Sequence, residues 1–136
     1  MNAHQLGYAG LVPFVLLAVL AWVVRADVAP FVSLALVGYG AAIASFLGGV
    51  HWGIAFSKWQ ASSVHLLWGV FPSLLAWMAV LMPAHAAAPF LAALLVVCYL
   101  VDRSLYPSAG LSYWLPLRLR LTVVATLSLL VAAARM

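Results

Sequence analysis

Residues 28–56 run without a single Asp, Glu, Lys or Arg, and four other stretches of the chain are nearly as free of charge. This constrains the fold more than any motif does. A helix crossing a hydrocarbon core of roughly 30 Å needs about 17 to 25 mostly apolar residues, with every backbone polar group satisfied inside the segment. Runs of that kind at 6–24, 28–56, 62–82, 86–103 and 115–134 predict an all-α integral membrane bundle of about five transmembrane helices, one domain covering residues 1–136. A soluble globule is excluded, because 68% hydrophobic and 6% charged residues leave too few polar side chains to cover its surface.

The connections are short. RAD at 25–27 makes the first turn, with Asp27 expected as the N-cap of the second span, and Lys58 and Trp59 mark that span's exit. Pro72 falls inside the third span, PAHAAAP at 83–89 makes a turn, and the longer LYPSAGLSYW at 105–114 leads to a last span with Pro116 in its first turn. The N-terminus lacks the basic start and cleavage pattern of a secretory signal, so the first segment is expected to stay as an anchor. Cys98 lies mid-run and reads as a small buried hydrophobe.

Six basic residues against two acidic ones give a net charge of +4, but they are scattered at span ends, which argues against nucleic acid and for lipid headgroups as partners. Lys58, Arg103, Arg118 and Arg120 fall on the side of the N-terminus, Arg25 and Arg135 on the other. The asymmetry favours a cytoplasmic N-terminus in a bacterial inner (cytoplasmic) membrane.

Within the apolar runs a few polar residues stand out. The stretch SFLGGVHWG, residues 45–53, places His51 after a ridge of Gly40, Ala44 and Gly48, with Ala41, Ser45, Gly49 and Gly53 forming a second ridge beside it. Small ridges imply close helix contact, so His51 is expected to point into the bundle. There it serves either an interhelical hydrogen bond or a ligand or proton. His65 lies on the same side, and two histidines alone are weak grounds for a metal.

Arg118, Thr122 and Thr126 share one face of the last span, while Arg120 is about 200° away and free to snorkel. An arginine at bilayer depth costs about 2.5 to 3.5 kcal/mol on insertion scales and needs an acceptor. Asp102 is the acidic side chain on that side. The two form a structural pair or, with the free amides of a helix start, an anion site. Tyr113 and Trp114 are placed to cover the apolar part of such a ligand, although an interfacial belt with Trp22, Trp59 and Trp68 is the commoner use. Trp52 and Trp77 are expected to pack inside the bundle by register.

SFLGGVHWG, then FPSLLAW at 71–77, Asp102, and LRLRLT at 117–122 together resemble the small membrane-protein family typified by mitochondrial transmembrane protein 69, catalogued as domain of unknown function 3429. The resemblance spans nearly the whole chain and implies a several-span helical protein of bacterial inner membranes and, in eukaryotes, mitochondria. It carries His51, Trp52, Pro72, Trp77, Asp102 and Arg118 as motif positions without assigning them a catalytic role. The tryptophan-rich five-span layout also resembles sensory proteins that bind porphyrins and sterols, in layout alone.

Three functions compete. The first is non-enzymatic binding or movement of an anionic amphiphile, whether lipid, quinone-like or porphyrin-like. It would use His51, Asp102, Arg118 and Thr122 for the head and Trp52, Trp77, Tyr113 and Trp114 for the body; the sequence leaves any cofactor unknown. The second is an accessory or assembly subunit of a larger membrane complex, docking through Gly40, Ala44 and Gly48. An enzyme is the weakest, since the chain has no glutamate, no nucleophile elbow and no metal-ligand set.

Overall fold

A computed structural model describes residues 2–57 and 63–136. In chain order the helices are α1 (Ala3–Ala9), α2 (Val12–Val23), α3 (Ala29–Ser57), α4 (Ser63–Val80), α5 (Ala84–Leu105) and α6 (Leu115–Ala133), with 3-10 turns at Pro107–Ala109 and Ser112–Trp114. Among the described residues five helical segments are long and apolar enough to cross a membrane, α1 and α2 together making the first, so the all-α bundle is as expected. The expected exit at Lys58 and Trp59 lies outside the described residues.

The first span begins earlier than its apolar run and is broken. Asn2 Oδ1 accepts from the Gln5 amide at 2.9 Å, and Gln5 Oε1 accepts from the Asn2 amide at 3.1 Å, a reciprocal cap that starts α1 ahead of the apolar run. Pro13 then has no N–H for the Ala9 carbonyl, and the helix restarts as α2. The next carbonyl along, that of Gly10, accepts from the Tyr39 hydroxyl at 2.6 Å, so a neighbouring helix bonds to the backbone at the break.

Packing is closest where side chains are smallest. α3 packs most extensively on α4, and α5 on α6. Gly48 and Gly69 bring the first pair into backbone contact: a Cβ on Gly69 would lie 2.8 Å from the Gly48 carbonyl oxygen, and one on Gly48 would run into the Gly69 carbonyl and meet Pro72 Cγ at 3.3 Å. Such approach substitutes for the hydrophobic drive that lipid removes. The ridge of Gly40, Ala44 and Gly48 is therefore buried within this chain and offers no docking face, contrary to the sequence expectation.

At the first interhelical turn Asp27 pairs with Arg25 Nε at 3.4 Å, and the turn closes through the Val28 and Ala29 amides donating to the Arg25 carbonyl. That is a side-chain pairing rather than the expected cap. α5 continues to Leu105, past the expected end at 103, so Asp102 stands nearly one turn before the helix end.

Candidate functional site

Four helices each carry an apolar seam that ends in a polar group at the same end of the bundle. On α3, Gly40, Ala44 and Gly48 lead to His51; on α4, His65 precedes Gly69, Pro72 and Ala76. On α5, Leu91, Leu95 and Cys98 lead to Asp102, and on α6 Arg118 precedes Thr122, Ala125 and Leu129. The spacings of three and four residues hold each seam on one face, so packing the seams brings the four polar groups together.

The result is a continuous bonded line. His51 Nε2 lies 2.5 Å from Asp102 Oδ1, and His51 Nδ1 lies 2.9 Å from His65 Nδ1. Arg118 Nη2 donates to Asp102 Oδ2 at 2.7 Å and Nη1 to Thr122 Oγ1 at 3.3 Å. Proton inventory assigns the directions: with His51 Nε2–H donated to the carboxylate, its Nδ1 accepts from His65 Nδ1–H. Both carboxylate oxygens thus have partners, as a charge this deeply buried requires.

Tyr106, just beyond α5, is buried against the cluster with its ring 5.9 Å from that of His51. Burial, and then the Asp102 carboxylate, push its hydroxyl up to about 12 against an opposing pull from Arg118, so it stays protonated at physiological pH. Tyr106 was not drawn from the sequence, and His65 was placed on the side of His51 without being expected to bond to it. The signal for His65 was present, since it stands four residues before Gly69 on the buried face of α4.

Beside the cluster lies a cleft of about 460 Å³ between α1, α3 and α6, lined by apolar groups such as Leu6, Phe14, Leu47 and Leu121, with Arg118 and Thr122 on its wall. Leu6 and Phe46, at its edge, are exposed, so it opens toward the lipid. Arg118 Nε is buried with no acceptor, and so is Thr126 Oγ1 one turn beyond Thr122.

Of the residues expected to form a ligand site, His51, Asp102, Arg118 and Thr122 converge. The aromatic ones do not. Trp77 is 63% exposed and faces outward, and Tyr113 is 66% exposed, tilted against Trp114 at 4.9 Å, which in turn tilts against His4 at 6.0 Å. Trp52 is half-exposed, lies over Gly69 and donates to the Leu66 carbonyl at 3.0 Å, tying α3 to α4. None of the four lines the cleft. Trp22 fits the belt reading, donating to the Val131 carbonyl under Arg135, whereas Trp68 is half-buried against the core.

A five-span bundle closed around a buried His–Asp–Arg network defines a multi-pass α-helical membrane protein with an ionic network in its interior. The family model described as "Protein of unknown function (DUF3429)" matches residues 1–134, and the chain belongs to that family. It is 42% identical over 135 residues to "Transmembrane protein 69" of Xenopus tropicalis, an alignment covering 93% of this chain and 51% of the relative. The chain thus spans about half the length of the curated relative that it matches. No solved structure matches it.

Proposed function

We propose that this protein binds, and so carries or presents, an anionic amphiphile in the cleft between α1, α3 and α6, with the anionic head at Arg118 and Thr122. The observation that carries this reading is the position of Arg118: an intramembrane cation on the wall of an otherwise apolar cleft that opens to lipid. A guanidinium has five N–H donors; one goes to Asp102 Oδ2, one makes a longer contact to Thr122 and the Tyr106 hydroxyl also bonds to the group, which leaves N–H capacity on the two Nη atoms for a ligand. Its volume falls in the range of roughly 300 to 1,000 Å³ usual for small-molecule sites. The apolar body rests on Leu6, Phe14, Leu47 and Leu121 rather than on the tryptophans. No step of bond making is needed, and the reading is non-enzymatic.

The accessory-subunit alternative loses its chief support, because Gly40, Ala44 and Gly48 are occupied within the chain. For orientation we favour a cytoplasmic N-terminus in an inner membrane. Arg118 is neutralised by Asp102 and leaves that argument, which rests on Lys58 with Arg103 and Arg120.

The test is a native mass spectrum of the protein released from its own membranes in mild detergent, for the wild type, Arg118→Ala and Leu121→Trp. The last fills the cleft without touching the ion network. A discrete adduct in the wild type, lost in both variants, is expected, and its mass identifies the ligand. Equal adducts in all three would overturn the reading.

A further inference from the structure

The binding reading uses Arg118 and leaves His65 and the far nitrogen of His51 without a task. These groups continue the line: His65 Nδ1 to His51 Nδ1, His51 Nε2 to Asp102 Oδ1, and Asp102 Oδ2 to Arg118 Nη2. An imidazole bonded through both nitrogens passes a proton by accepting at one and releasing at the other, ending as its other tautomer with no net charge change. The line ends on the counter-ion of the cation that lines the cleft.

Charge balance gives this geometry a consequence. Asp102 and Arg118 together are neutral, with Asp102 buried and the Arg118 side chain 11% exposed. An anion arriving alone would leave the site with a net negative charge in low dielectric, which is strongly disfavoured. An anion arriving with one proton leaves it neutral.

We propose that the site takes up an anion and a proton together, one for one. The proton passes from His65 through His51 to Asp102, and the guanidinium released from its ion pair holds the anionic head. His65 takes a proton at Nε2 from the aqueous side and gives its Nδ1 proton to His51 Nδ1, while His51 gives its Nε2 proton to Asp102 Oδ1, so each imidazole ends as its other neutral tautomer. The net change is one proton gained, with Asp102 turned from carboxylate to acid. Among the described residues, the charged and titratable groups around the line include His65 from α4, Asp102 with Cys98 beside it from α5, Tyr106 just beyond α5, and Arg118 from α6. This inference rests on the binding reading above and adds the proton to it.

The probe is phosphatidylglycerol with a fluorescent tail, whose phosphodiester stays ionised throughout the range used, titrated into the purified protein in neutral-detergent micelles between about pH 5.5 and 8. Phosphatidylcholine with the same tail is the control. Because a proton is bound with the anion, affinity for phosphatidylglycerol falls as pH rises, by up to about tenfold per unit. Asp102→Asn fixes the neutral state, so its affinity should change by less than about twofold over the range and exceed that of the wild type at the alkaline end. Should that variant not fold, an indicator dye in weakly buffered wild-type samples reads the same linkage as about one proton taken up per lipid bound. Wild-type binding that is selective for phosphatidylglycerol, pH-independent and without proton uptake overturns this inference and leaves the binding reading intact. No preference for phosphatidylglycerol over phosphatidylcholine at any pH overturns both.

Discussion

The chain has two acidic side chains, both aspartates, and each meets an arginine at an opposite end of the bundle. Asp102 and Arg118 lie 2.7 Å apart with side chains 1% and 11% exposed; Asp27 and Arg25 lie 3.4 Å apart with side chains 69% and 83% exposed. The same two functional groups thus occupy two dielectrics. Water and ions screen the exposed pair, which contributes little, whereas in the buried pair each ion is tolerable only because the other is present. One pair decorates a turn, and the other decides how four helices pack.

The largest effect should follow from removing one member of the buried pair. Asp102→Ala strands Arg118 inside the bundle and deprives His51 Nε2 of its acceptor, so a loss of about 3 to 5 kcal/mol is expected, read as an early unfolding transition in detergent. Replacing both ions in Asp102→Leu with Arg118→Leu should restore the part of that stability lost to the stranded charge, though not the part lost at His51 Nε2, while abolishing ligand retention, because well-packed apolar pairs substitute for buried ion pairs at little cost. A double variant as unstable as the single one would mean that the ions contribute directly, not merely tolerate each other.

A smaller effect, of about 1 to 3 kcal/mol, is expected for Gly48→Leu, which forces the α3 and α4 backbones apart and pulls His51 away from His65. Gly49→Leu, one residue along and with nothing within 4 Å of an added Cβ, should be tolerated. The pair of variants sharpens the contrast between the ends, since the glycine contact supports the buried network alone. If both glycines respond alike, the interface at Gly48 is not what holds the polar end together.

How much of this was legible in the sequence differs by physical cause. The spans were, because apolar length is a property of the segment alone. His51, Asp102 and Arg118 were, because an ion in an apolar run must find a partner. The tryptophans were not. Trp77 follows Ala76 and Trp52 follows His51 by one residue, a rotation of about 100° that turns a buried position outward. Hydropathy gives no warning of this, since lipid is as apolar as a protein interior. The cleft was illegible too, because it depends on how the break at Gly10 sets α1 and α2 against α3 and α6.

The smallest expected effect closes the comparison. Asp27→Ala should change stability by no more than about 0.5 kcal/mol, because the carboxylate it removes is solvated in both folded and unfolded chains and its partner stays in water. Whatever difference exists should vanish on raising salt toward about 1 M, where the screening length drops to roughly 3 Å, shorter than the pair's own separation. The Asp102 variant should show no such rescue by a simple salt, since a hydrated halide, unlike the head of an amphiphile, has no apolar body to carry it into the cleft beside Arg118. Running both against salt therefore separates a screened pair from an excluded one. If Asp27→Ala proved as costly as Asp102→Ala and as insensitive to salt, the RAD turn would have to be sequestered from water, and burial would no longer distinguish the two ends.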